Sequence, residues 1–163
     1  MPGPERSLRE AFLRACYEVE LGASRHVTLR PGLPLPSSLR MWLGGDRHWA
    51  MLTAWNPRAK PRGDAVNQRA QARLERLLTE GQPRRRWLPA RSSDGRGGWV
   101  EPQCFVAGLA PAAARRLARR FDQRAYLHGE VDGPVKLRLR RQPAWTGEHE
   151  PVQNPRAHDE CIP

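Results

Sequence analysis

At 163 residues, 39% of them hydrophobic, the chain has room for one domain of ordinary size that buries a core without disulfides or metal. No run approaches the roughly 20 apolar residues that cross a bilayer, and the opening residues alternate charge with apolar groups instead of forming an export signal, so a soluble, cytoplasmic protein with no membrane partner is expected. The formal charge of +11 points toward an anionic partner, but the cations comprise 26 arginines and 2 lysines, a skew that GC-rich coding also produces.

Residues 6–16 place Leu8, Phe12, Ala15 and Cys16 at helical spacing with Arg6, Arg9, Glu10 and Arg14 opposite, which predicts an amphipathic first helix. Tyr17, Val19 and Leu21 then alternate with Glu18 and Glu20, and the alternation resumes at Val27 and Leu29, as in a β-hairpin. Beyond the breaker-rich link Pro31 to Pro36, Ser37 or Ser38 is the expected cap of a short helix that turns Leu39, Trp42 and Leu43 inward and ends at Gly44 and Gly45. Residues 48–55, HWAMLTAW, are apolar almost throughout, which predicts a central strand covered on both faces.

Pro57 and Pro61 exclude regular structure between Asn56 and Gly63. Asp64 is the expected N-cap of the next helix, whose apolar face reads Val66, Ala70, Leu74, Leu77 and Leu78, with Arg69, Arg73 and Arg76 outside and Gly81 as its stop. A shorter strand at Trp87 and Leu88, a flexible turn over 92–98 and a return strand over roughly 103–108 follow. Pro111 opens a helix with Ala114, Leu117, Ala118 and Phe121 inside and Arg115, Arg116, Arg119 and Arg120 outside. Residues 125–131 and 135–139 flank the turn dipeptide Asp132-Gly133 and predict a closing hairpin. From the strand at 48 onward the order is β, α, β, β, α, β, which predicts an α+β single domain over 1–141 with a ferredoxin-like split βαβ core, an added N-terminal helix and hairpin, and a polar, disordered tail over 142–163.

The ordered set Thr53, Ala54, Trp55, Asn56, Pro57, then Asn67, then Trp99, Glu101, Pro102, then Phe121 and Gln123 resembles the bacterial domain of unknown function family 3293, over about residues 11–139. The resemblance implies a compact bacterial domain with no assigned activity. The family's pattern tends to carry a serine soon after the Asn-Pro pair and a glycine between the Phe and the Gln; this chain has Arg58, Ala59 and Asp122 there, which puts a role for a loop hydroxyl in doubt.

Four polar residues stand out as candidates for a ligand site: Asn56, Asn67, Glu101 and Gln123. Asn56 leaves the central strand beside a helix N-terminus, where clefts tend to form, and Asn67 lies one turn into that helix. Local wiring of a proline-interrupted loop is the competing explanation for both amides, and satisfying terminal carbonyls is that for Gln123. Glu101, between Trp99 and Pro102, is the best carboxylate for acid-base chemistry, but it has no partner in a motif. Trp49 and Trp55 could stack a ligand or pack the core.

Metal and cofactor signatures are absent. The histidines at 26, 48, 128, 149 and 158 and the cysteines at 16, 104 and 161 show no ligand spacing beyond a lone His158 and Cys161, and the glycines at 95, 97 and 98 open no helix. The leading expectation is thus a non-catalytic or accessory domain that binds a small anionic ligand or a protein partner. The alternatives are nucleic-acid binding through Arg84, Arg85, Arg86, Arg115, Arg116, Arg119, Arg120 and Arg138 to Arg141, and a hydrolase or transferase using Glu101.

Overall fold

The computed structural model describes residues 4–140, and the expected tail over 142–163 lies outside them. Helix α1 (Pro4–Arg14) precedes the hairpin β1 (Cys16–Glu20) and β2 (His26–Leu29); α2 (Ser37–Leu43), β3 (His48–Leu52) and α3 (Asp64–Glu80) follow. The chain continues as β4 (Trp87–Ser93), β5 (Val100–Ala107), α4 (Pro111–Arg120), β6 (Ala125–Glu130) and β7 (Lys136–Leu139). All seven strands join one antiparallel sheet in the order β2-β1-β4-β5-β3-β6-β7, so the described residues form one α+β unit.

The sheet has two covered faces because its middle strands are apolar on both sides. Alternate residues of β3 part company: Trp49 and Met51 join Leu29, Leu35, Leu39, Leu43 and Phe105 on the face capped by α2, whereas Ala50 and Leu52 join Leu74, Leu78, Val106, Ala114 and Ala118 under α3 and α4. Centrality of β3, between β5 and β6, is what the unbroken apolar run required.

Local details depart from the expectations for physical reasons. Cys16 begins β1 instead of ending the helix, and it is exposed. Pro36, not a serine, occupies the N-cap of α2, and Gly63 that of α3; Asp64 sits inside the first turn, where its charge still favours the helix dipole. Val66 is exposed, and the inward face of α3 is instead Asn67, Gln71, Leu74 and Leu78, two amides followed by two leucines at helical spacing. Strands β4 and β5 pair from Trp87 opposite Val106 to Ser93 opposite Val100, so the turn between them is shorter than expected and Glu101 lies within the ladder. Trp55 falls outside β3, and Trp49 is fully buried against Phe105, so the two do not form a stacking platform.

Candidate functional site

The face beneath α1 and α2 changes character along its strands. At one end Leu88, Phe105, Met51 and Leu127 are apolar; one step on, Ala90 pairs with Gln103; one step further, Tyr17, Ser92 and Glu101 lie in register across β1, β4 and β5. Side chains two residues apart on a strand share a face. The polar rows therefore point to one place, a cavity of about 300 Å³ whose lining includes Tyr17, Thr53, Asn56, Ser92, Glu101, Gln103, Gln123 and Arg124. Leu8, Ala11 and Phe12 of α1 and the residues Met51 and Leu127 form its apolar walls.

The rim is shaped by the segment after β3, where the chain leaves the ladder while still buried. Three successive backbone N–H groups then lack strand partners, and side chains accept them: Ala54 N–H donates to Gln71 Oε1 at 3.0 Å, Trp55 N–H to Thr53 Oγ1 at 2.9 Å, and Asn56 N–H to Asn67 Oδ1 at 2.9 Å. The Trp55 carbonyl accepts Gln123 Nε2 at 3.0 Å, and the Thr53 hydroxyl donates to the Pro102 carbonyl at 2.7 Å. Asn56 itself takes the left-handed conformation, φ 45°, which asparagine tolerates better than most residues.

Asn56 connects this scaffold to the cavity. Its Oδ1 accepts Asn67 Nδ2 at 2.8 Å and the Arg62 N–H at 2.9 Å, which aims its Nδ2 at Glu101 Oε1, 2.7 Å away. The four residues singled out from the sequence thus meet in one assembly. Asn56, Glu101 and Gln123 line the cavity, and Asn67 stands behind Asn56 as its support. Tyr17, Thr53, Ser92, Gln103 and Arg124 were not anticipated; carrying the alternation of β5 back from Ala107 through Phe105 would have reached Gln103 and Glu101 together.

Burial pushes the Glu101 carboxyl above its ordinary value near 4.5, against the smaller opposing effect of the Asn56 amide. The folded protein therefore holds this proton more tightly than the unfolded chain does. The stability Glu101 contributes is fully present below the ordinary value and is lost as pH rises through the raised one. Glu101→Gln, which keeps the shape and an acceptor for Asn56, is expected to melt above wild type at pH 7, with the gap closing toward pH 4. Thermal melts over that range check this, and a gap independent of pH would show that the carboxyl does not titrate there. Burial also raises the Tyr17 hydroxyl, with the nearby Glu101 charge adding to the effect; that hydroxyl donates to the Phe12 carbonyl at 2.7 Å and fastens α1 over the cavity.

The arginines proposed for nucleic acid divide into two sets. Arg86 is used by the fold, donating to the Trp42 and Leu43 carbonyls and to Asp46 with its guanidinium over the Trp42 ring, and Arg85 donates to the Gly108 carbonyl at 2.7 Å. Arg84 and the α4 residues Arg115, Arg116, Arg119 and Arg120 are exposed, whereas Arg140 donates to the carbonyls of Ala118 and Gln123. Arg141 lies outside the described residues. Among the described residues no group of His, Cys, Asp and Glu side chains could hold a metal ion, and no helix is long and apolar enough to cross a membrane.

Residues 52–126 match the model of the family described as "Protein of unknown function (DUF3293)", which bears out the resemblance read from the ordered motif residues. The matched stretch holds Asn56, Asn67, Glu101 and Gln123 and ends at Tyr126 in β6. No curated protein and no solved structure matches the chain.

Proposed function

We propose that the protein is a non-catalytic binding domain whose cavity, between α1 and the polar end of the sheet, takes a small, partly apolar ligand. The observation that carries this is the convergence of Asn56, Glu101 and Gln123, far apart in sequence, on one cavity of about 300 Å³, at the small end of the range for ligand sites. Leu8, Phe12, Met51 and Leu127 offer surface to the ligand's apolar part. A desolvated carboxyl gains from a donor, so a ligand N–H or O–H belongs at Glu101.

No histidine, cysteine or second carboxylate lines the cavity among the described residues, and the Tyr17 hydroxyl beside Glu101 gives its proton to the Phe12 carbonyl, which favours binding over hydrolysis or group transfer. In fold terms we read β3 to β6 as a ferredoxin-like split βαβ unit within a larger sheet; the order β4-β5-β3-β6 and the packing of α3 and α4 on one face support it.

A ligand-observed NMR screen of small amines, amides and carboxylic acids tests the proposal, run on wild type and on Ala125→Trp, which would fill the cavity from β6. Binding that wild type shows and the folded variant lacks is the expected result. Equal binding to both, or no binder among these classes, overturns it.

A further inference from the structure

We infer a second site on the opposite side of the sheet: the groove between α3 and α4 holds single-stranded nucleic acid, with bases over an apolar floor and phosphates on arginine banks. This stands apart from the cavity under α1 and shares no lining residue with it.

Several arginines off these helices are held in ion pairs. Arg47 pairs with Glu130, Arg58 with Asp122, Arg86 with Asp46 and Arg91 with Glu18, and α1 sets Arg6 and Arg14 against Glu10. None of the ion pairs seen among the described residues involves Arg69, Arg73 or Arg76 of α3 or Arg115, Arg116, Arg119 or Arg120 of α4. The acids on the two helices are Asp64, Glu75 and Glu80; Glu75 accepts Gln71 Nε2 at 3.3 Å, and Glu80 lies along the groove. A coding bias accounts for many arginines; what sets these apart is that Arg73, Arg76, Arg116 and Arg120, in no ion pair among the described residues, border one concave surface.

The surface between the helices is concave. Two adjoining hollows of about 440 and 330 Å³ share Leu77, Gly81 and Arg120. Leu77, Leu109, Ala113, Leu117 and Phe121 contribute apolar surface; Arg73 and Arg76 stand on one bank, and Arg116 and Arg120 on the other. That geometry decides between polyanions. A duplex or an anionic lipid surface presents only phosphates to a basic face and gains nothing from an apolar hollow. A single strand has unstacked bases to bury there while its backbone reaches the guanidinium groups on either side.

The test is fluorescence anisotropy of the full chain with labelled oligothymidylate of about a dozen nucleotides, against a duplex of equal length and phosphatidylserine vesicles as competitors. The double variant Arg116→Glu/Arg120→Glu is expected to weaken binding roughly tenfold or more and to flatten its salt dependence. Arg25→Glu/Arg30→Glu makes the same charge change at exposed positions flanking β2, off the two helices, and is expected to cost no more than about twofold, because screening confines its effect. Circular dichroism checks that both variants fold. Equal losses in the two variants, stronger competition by duplex or vesicles, or no binding at low salt overturns the inference.

Discussion

Asn67→Ala is expected to lower unfolding free energy by about 2–3 kcal/mol, a large effect for a polar residue. Asn67 is 1% exposed, and its amide makes three bonds: it accepts the Asn56 N–H and donates to Asn56 Oδ1 and, at 3.2 Å, to the Arg62 carbonyl. Alanine removes all three and strands a backbone donor in a place water does not readily reach. A stranded buried group costs about 1–3 kcal/mol, and loosening Asn56 adds to it. Gln68→Ala, one residue on and exposed, is expected to stay within about 0.5 kcal/mol. Urea denaturation of the two variants checks the contrast, and equal stabilities would remove Asn67 as the support of the loop.

Trp49→Ala is expected to cost still more, about 3–5 kcal/mol, as is usual for deleting a fully buried aromatic ring. The indole has 0% exposure, stacks on Phe105 with centroids 5.1 Å apart, and lies so close to Gly129 on β6 that a Cβ there would be 3.0 Å from the ring. A β-carbon at 129 would press on the ring and on the Pro134 carbonyl, both 3.0 Å away, so glycine lets the tryptophan lie closest across that strand pair. Trp49→Phe is expected to lose far less, because it retains a ring and removes an indole N–H that finds no acceptor among the described residues. The same denaturation series separates the two; similar losses for both would mean that the N–H, not the packing, carries the energy.

Much of the fold was legible because periodicity reports burial. The apolar run of β3 announced a central strand, and the spacing of Ala114, Leu117, Ala118 and Phe121 announced α4. Hydrophobicity predicts Val66 on the inward face of α3, yet Val66 is exposed, and Asn67 and Gln71 are buried for their hydrogen bonds to a loop. The candidate site was legible where an amide or carboxyl sits beside prolines, as Asn56 and Glu101 do. Tyr17, Ser92 and Gln103 were missed because their convergence arises from pairing of strands distant in sequence, and Gln103 lies in a strand buried on both faces, where alternation is muted. The two departures from the resembled family pattern are also joined: Arg58 pairs with Asp122 and donates its backbone N–H to the Asp122 carbonyl, and Asp122 takes a positive φ of 53° that a glycine would adopt without strain.

The most direct measurement follows the side-chain amide resonances of Asn56, Asn67, Gln103 and Gln123 by two-dimensional ¹⁵N NMR during titration with amine, amide and carboxylic-acid fragments. A pocket with a tenant should move Asn56, Gln103 and Gln123 in concert, at one apparent affinity, with exposed Gln68 still. Shifts confined to other surfaces, or spectra that no fragment alters, would leave those amides with structural work alone.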